Sequence, residues 1–405
     1  MPDPANASTS PWSNRTFATL FSAHVVSLVG SAIGSIALGL LARELVGADV
    51  TEVVGISLTI RIIILVFCAP LSGRVADIFG RKATLIAADL LRVAVVIGFF
   101  FVTAVWQIYV LAVFLNLGAA LFTPIYKSII PGITGEKAYP KALAAGTVAY
   151  DLSQIFGPAL AALLIANFGF RGNFLIDAAT FLLSAIMIFP LSLSRAKLGD
   201  TRGEKKPKPD LLFGIRRMIS QPSLRHSLIL ALRVSIVGAL TLVATIGYVT
   251  VELGLDDSMY AWAMVALGVG SMLGVTAYAY LPERLQKVLE RGTFPALAAS
   301  LIIAATLPGI LWLAVAWIIS GAGQGIYNNL SNRLLAANSD EEERSHLYSA
   351  HFSLSHVGWG LTYPATGFLA SNFGFQTTCW IFLGLLILTL LFSAPSANLD
   401  EGSRE

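Results

Sequence analysis

Nine ionisable side chains stand inside apolar runs of this sequence: His24, Arg61, Asp89, Arg92, Asp151, Asp177, Arg233, His351 and His356. Among hydrocarbon-like neighbours each is costly. Such residues mark ion paths, proton relays or substrate contacts unless a local partner explains them. Their company separates them. Thr147, Asp151, Gln154 and Pro158 follow one another at helical spacing and form a single polar stripe, which predicts that Asp151 faces a cavity and can carry a proton. His24 heads a similar stripe with Ser27, Ser31 and Gly34; Gln324, Asn328, Ser331 and Asn332 form a third; Ser349, Ser353, His356, Gly360 and Tyr363 form a fourth. Asp89 and Arg92 lie one turn apart and are expected to neutralise each other. Asp177 and Arg171 are expected to form a pair at a membrane rim. Arg61 and Arg233 have no acidic neighbour on their own helices, so each is a candidate to hold an anionic substrate group or to pair with Asp151.

Two of the histidines also raise metal chemistry, since neutral imidazole suits a borderline divalent cation. His351 and His356 are five residues apart, which is roughly 140° around a helix. One ion bound by His356 would therefore draw its other ligands from other helices, such as His24, Asp151 or Asn328. Cys68 and Cys379 sit far apart in apolar stretches and read as packing residues.

The elements that must position these groups are membrane helices. Of 405 residues, 56% are hydrophobic and 13% charged, and the mean hydropathy is +0.73. A helix needs about 20 apolar residues to cross about 30 Å of hydrocarbon. Stretches of that kind are predicted at 17–41, 53–73, 83–103, 106–128, 139–166, 172–194, 227–251, 259–281, 293–307, 310–335, 346–371 and 374–395, twelve in all. The ninth is the shortest and is cut by Pro308. The first lacks a basic leader and is expected to remain as a membrane helix. The fold class is thus an all-α membrane protein, with a six-helix bundle over 1–194, a polar linker over 195–225 and a second six-helix bundle over 226–405.

Lys and Arg are retained on the cytoplasmic side of a membrane. Arg74, Arg81, Lys82, Lys127, Lys137, Lys141, Arg284, Lys287, Arg291, Arg333 and Arg344 fall on one side of the twelve-helix scheme, and only Arg43 and Arg171 on the other. Both termini are therefore expected in the cytoplasm of a cell whose inner membrane the chain crosses. The halves also repeat: the run from Gly157-Pro158 to Asn167-Phe168-Gly169-Phe170 parallels that from Tyr363-Pro364 to Asn372-Phe373-Gly374-Phe375. Parallel repeats of this kind point to a transporter with its site between the halves.

The segment Gly73-Arg74-Val75-Ala76-Asp77-Ile78-Phe79-Gly80-Arg81-Lys82 resembles the signature loop of the major facilitator superfamily, and stands where that family has it, after the second helix. The resemblance implies twelve helices in two pseudo-symmetric bundles, alternating access, a cavity lined by helices 1, 5, 10 and 11, and a cytoplasmic gate built from Gly73, Asp77, Gly80, Arg81 and Lys82. The stretch from Arg15 to Arg92 is similar to the exporter branch that contains the enterobactin exporter. Gly146 and Gly157-Pro158 resemble the antiporter pattern of helix five, with Ala161 and Ala162 where a glycine pair is usual. Ala350-His351-Phe352-Ser353-Leu354-Ser355-His356 resembles nickel-resistance exporters, with Gly358 where those have cysteine.

No phosphate-binding Gly-Lys-Ser/Thr loop, paired-histidine zinc motif or nucleophile elbow occurs, so neither an enzyme nor a bound cofactor is expected. The expectation is proton-coupled efflux of a small solute. A divalent metal such as nickel or cobalt is a candidate substrate, and a siderophore or amphipathic drug the alternative; uptake and a receptor role are less favoured. The pathway would involve His24, Arg61, Thr147, Asp151, Gln154, Arg233, Gln324, Asn328, His356 and Tyr363, with His356 and His351 touching a transported metal. Expected partners are the solute, protons and the lipid bilayer, with the chain a monomer that does not bind nucleic acid.

Overall fold

In a computed structural model of the chain, residues 10–135, 138–192, 213–307, 309–339 and 344–392 are described, and they are helical without a strand. Among them nine continuous helical stretches are long and apolar enough to cross a membrane. Three of the nine are double. Arg15–Phe79 turns back at Gly47, whose φ is +60°, into α1 (Arg15–Val46) and α2 (Val50–Cys68). The helix Tyr139–Ile188 is 50 residues, which at about 1.5 Å per residue is more than twice a membrane's thickness. It is broken at Gly169 into α5 (139–168) and α6 (170–188). Arg344–Leu388 is broken in the same way at Gly374 into α11 (344–373) and α12 (375–388). The remaining spans are α3 (Arg81–Phe100), α4 (Val105–Thr134), α7 (starting as Pro222–Ala239), α8 (Asp257–Tyr280), α9 (Glu283–Ala305) and α10 (Ile310–Ala337).

The sequence repeat is visible in the backbone. Gly169 and Gly374 have φ/ψ of 66°/166° and 81°/165°, a left-handed geometry that a Cβ would oppose. Two residues earlier, Asn167 and Asn372 each donate to the carbonyl four residues back, at 2.8 and 2.9 Å. Identical caps thus end α5 and α11, and Pro158 and Pro364 stand inside the same two helices.

Three local differences from the sequence reading have plain causes. The ninth helix begins ten residues earlier than predicted, because Glu283 to Lys287 is helical but polar and hydropathy does not register it; Glu283 and Lys287 pair across one turn at 3.8 Å. The signature segment is not a loop but a short helix, Ser72–Phe79, ended by Gly80. Gly80 has φ +88° and needs to be glycine, whereas Gly73 is helical with open space at its missing Cβ. The tight reversal is therefore the work of Gly80 alone. Finally α7 continues through wide π turns at Leu240–Ala244 and Tyr248–Glu252, the second closed by stacking of Tyr248 on Phe375 at 4.2 Å.

Contacts divide the chain into two units. The first comprises 1–47 and 60–203, and the second 48–59 and 204–405. In the first unit α1 packs along Tyr139–Ile188, with the missing Cβ of Gly157 only 2.2 Å from that of Ala32. In the second unit α8 and α10 press backbone on backbone: a Cβ on Gly270, Gly274, Gly321 or Gly325 would lie 2.1 to 2.3 Å from a carbonyl oxygen of the facing helix. Small residues at such a seam let helices approach where lipid gives no hydrophobic drive for association. Residues 48–59 are anchored in the second unit by the same device, Gly55 facing the Tyr363 carbonyl and Gly367.

Candidate functional site

The first unit buries a cluster of charge. Asp89 on α3 is 0% exposed and Arg92, one turn on, 6%. They form the expected ion pair through Arg92 Nη2 and Asp89 Oδ1, and Ser184 of α6 donates to Asp89 Oδ2 at 2.7 Å. The guanidinium lies over the rings of Phe181 at 4.2 Å and Phe122 at 4.7 Å. Gly118 on α4 makes room for its stem, since a Cβ there would meet Arg92 Cγ at 2.7 Å. Arg92 is thus held by a carboxylate at its end and by aromatic faces on its sides, a placement that keeps a buried cation in one orientation.

Asp177 belongs to this cluster, which corrects the sequence reading of a rim pair with Arg171. Arg171 instead reaches Glu44 at the end of α1, with Nη2 to Oε1 at 2.7 Å, and donates to the Phe100 carbonyl at 2.6 Å. Asp177 is two turns further into α6, 3% exposed, within electrostatic reach of Arg92. Its carboxyl group occupies the space left by Gly30 and Gly34 of α1: a Cβ on Gly34 would lie 2.3 Å from Asp177 Oδ2, and one on Gly30 2.7 Å from Oδ1. The His24 stripe is therefore divided, with Ser27 and Gly34 turned into the unit and Ser31 exposed. His24 itself is half-buried, its ring 4.2 Å from Tyr126 and 5.8 Å from Phe122, with Nδ1 buried and unpartnered.

Of the α5 stripe, the side chains of Thr147 and Asp151 lie outside the described residues, as do Lys137 and residues 195–212 of the 195–225 linker, whose described remainder contains the short helix Phe213–Ser220; Gln154 is exposed. Arg61 is exposed on α2, and so are Asp77 and Arg74 of the signature segment. Lys82 sits 5.3 Å from the Phe189 ring at the end of α6.

In the second unit the candidates do not converge as a group. Arg233 is 5% exposed and donates from Nε to Thr389 at 2.8 Å with its guanidinium 5.1 Å from the Phe294 ring, so it braces α7 against α9 and the chain after α12. His351 is tied to α10: its Nε2 is 2.9 Å from Ser331 Oγ and 3.2 Å from Tyr327 OH. His356 donates from Nδ1 to the Phe352 carbonyl at 2.7 Å and lies against the Phe352 ring. Gln324 donates to Ser320 at 3.4 Å, while Asn328 and Asn332 are exposed. Tyr363 is 7% exposed beside Trp359. The side chains of Ser349, Arg344 and His346 lie outside the described residues. Among the described residues no group of three or more His, Cys, Asp or Glu is placed to hold a metal ion.

Sequence reasoning missed Glu44 and Glu290. Glu290 accepts from Tyr278 OH at 2.6 Å and lies 3.7 Å from Arg333, which also donates to Gln286 at 3.0 Å, closing the polar end of α8, α9 and α10. Both acids lie near helix ends, where hydropathy treats any charge as ordinary. Only the excess of basic residues nearby signalled that partners were needed.

The Major Facilitator Superfamily pattern matches residues 20–248 and again 228–403. Among similar proteins, the uncharacterized MFS-type transporter YfiS of Bacillus subtilis is 26% identical over 257 residues, 63% of this chain and 61% of that protein. The multidrug resistance protein MdtG of Enterobacter lignolyticus is 27% identical over 163 residues, 39% of each. The macrolide efflux protein A of Streptococcus pyogenes is 25% identical over 189 residues, 45% of this chain and 46% of that one. The chain thus spans about three fifths of YfiS and about two fifths of MdtG. In fold, it superposes on a bacterial homologue of the iron transporter ferroportin with TM-score 0.73 at 14% identity, covering 96% of this chain and 99% of that one. A bacterial homologue of the lysosomal transporter Spinster gives 0.73 at 15%, covering 93% and 95%. At those identities the likeness is one of fold. Two matches that together run from residue 20 to residue 403, on a chain of repeated membrane helices, leave one assignment: the chain belongs to the major facilitator superfamily of membrane transporters.

Proposed function

We propose that this transporter exports a small amphipathic organic solute across the inner membrane of a bacterium in exchange for protons, with both termini cytoplasmic. The reading is carried by the alignment of the chain with relatives named for multidrug resistance and for macrolide efflux. Exchange for protons is supported by the antiporter-like glycines Gly146 and Gly157-Pro158 on α5 and by the sequence position of Asp151 on their helix. In the cycle, Asp151 takes a proton from one side, the halves rock, and the proton leaves as solute binds. The signature residues Gly73, Asp77, Gly80, Arg81 and Lys82 serve the cytoplasmic end of the same movement.

A metal substrate is the second reading. It rests on the resemblance of Ala350 to His356 to nickel-resistance exporters, and it asks His351 to give up Ser331 and Tyr327 before it can ligate. Everted vesicles separate the two. With an imposed proton gradient they are challenged in turn with a cationic dye, a catecholate siderophore, nickel and cobalt. Accumulation of the dye alone, abolished by a protonophore and by Asp151→Asn, is the expected result. Accumulation of nickel alone would move the assignment to the metal, and undiminished transport by Asp151→Asn would remove Asp151 from it.

A further inference from the structure

The first unit holds a carboxyl group that the export cycle above does not use. Asp177 is 3% exposed, about 12 Å along α6 from Gly169 at the helical rise, and its Oδ1 has no hydrogen-bond partner. The groups that surround it are few. On α3 is Arg92, within electrostatic reach and itself paired with Asp89; on its own arm are Thr180, whose hydroxyl donates to the Asp177 main-chain carbonyl at 2.7 Å, and Asn173, whose amide is buried with both atoms unpartnered. The α1 surface against it is Gly30 and Gly34, and the nearest titratable group on that helix is His24, further along beside Tyr126 and Lys127 of α4.

Charge counting then decides the state of the cluster. It contains two carboxyl groups and one guanidinium. Arg92 is committed to Asp89, which in addition accepts from Ser184, so Asp89 is the ionised member. A second carboxylate would leave one buried negative charge without a counter-ion, the arrangement a low-dielectric interior tolerates least. A carboxyl of ordinary acidity holds a proton in about one molecule in a thousand at neutral pH, and that thousandfold cost is what burial without a counter-ion has to exceed. From this geometry we infer that Asp177 is a resident proton-binding site, with one proton shared by the Asp89–Arg92–Asp177 cluster and carried on Asp177. Because Arg92 brings one positive charge to two carboxyl groups, moving the proton to Asp89 would leave Asp177 as the counter-ion of Arg92. The inference deepens the proton-coupled reading by placing a second proton behind α1, and depends on that reading only for the use made of it.

Infrared difference spectroscopy on the purified full-length protein in detergent, in an Asp151→Asn background, tests the assignment. The expected result at neutral pH is a protonated-carboxyl C=O band that shifts in D2O, lost on Asp177→Asn. It is also expected to be lost on Asp89→Asn, because Arg92 then has only Asp177 to pair with and Asp177 ionises although it is untouched. Arg92→Gln is expected to double the band. No band assignable to Asp177, or a band of full intensity in a folded Asp89→Asn protein, overturns the inference. Proton-driven dye accumulation is scored separately in vesicles. Its failure would sink the antiport reading while leaving the band, and loss of the band would leave the antiport reading at Asp151 standing.

Discussion

The two units repeat in backbone and differ in what they bury. In the first, the interior polar groups include Asp89, Arg92 and Asp177, and helix α1 supplies glycines to receive a carboxyl group. In the second, among the described residues, the fully buried polar side chains apart from Arg233 are hydroxyls, with His226 and His351 half-buried: Thr241, Thr362 and Thr366 each donate to the carbonyl four residues back, at 2.9, 2.9 and 2.8 Å. Hydroxyls satisfied within their own helix add little charge to a membrane interior and titrate nothing. Under the proposed export cycle, the second unit serves as scaffold and the first handles the protons. A common fold therefore does not imply a common share of the chemistry.

That contrast can be broken at several points. The largest effect is expected from Arg92→Leu, which takes the counter-ion from Asp89 and obliges it to bind a proton, and should cost about 3–5 kcal/mol, read as a fall in thermal midpoint and in monodisperse yield. Next comes Gly274→Leu in the second unit, where the new side chain meets the Ala322 carbonyl; an overpacked seam of backbone on backbone should cost upward of about 3 kcal/mol with no change in proton binding by surviving protein. Arg233→Met, which gives up the bond to Thr389 and the Phe294 ring, is expected to lose about 1.5–3 kcal/mol and leave the proton dependence of transport as in wild type. Gly30→Ala places a Cβ 1.9 Å from Thr180 Oγ1 and 2.7 Å from Asp177 Oδ1, side-chain atoms that can yield; about 1–2 kcal/mol is expected, together with a changed Asp177 signal. Last comes Asp177→Asn, which is expected to lose nothing and to gain stability at neutral pH, since a neutral amide of nearly the same shape replaces an acid that must take up a proton to be buried. A loss of several kcal/mol there would make Asp177 an ionised structural partner of Arg92 and erase the distinction between the units.

Much of the scaffold was legible in the sequence, because hydrocarbon thickness fixes the length of a span and a repeated Asn-Phe-Gly-Phe fixes where two of them break. The ion pair of Asp89 and Arg92 was legible too, as its partners share one helix. Asp177 was not. Its neighbours come from α1 and α3, and the glycines that admit it are three to six residues from His24 on a helix whose stripe suggested a cavity. Periodicity says which residues share a face, but it does not say which face meets another helix. Arg233 escaped in the same way, its partners Phe294 and Thr389 lying far along the chain. Single-helix patterns report local pairs; pairs made across helices need the packing.

The most direct measurement is proton release when the cationic dye is added to purified protein in weakly buffered detergent. Wild type, Arg233→Met and Asp177→Asn are expected to release protons alike, and Asp151→Asn to release none. Release that survives in the Asp151→Asn and Asp177→Asn double variant, but disappears in Arg233→Met, would contradict the assignment of proton handling to the first unit.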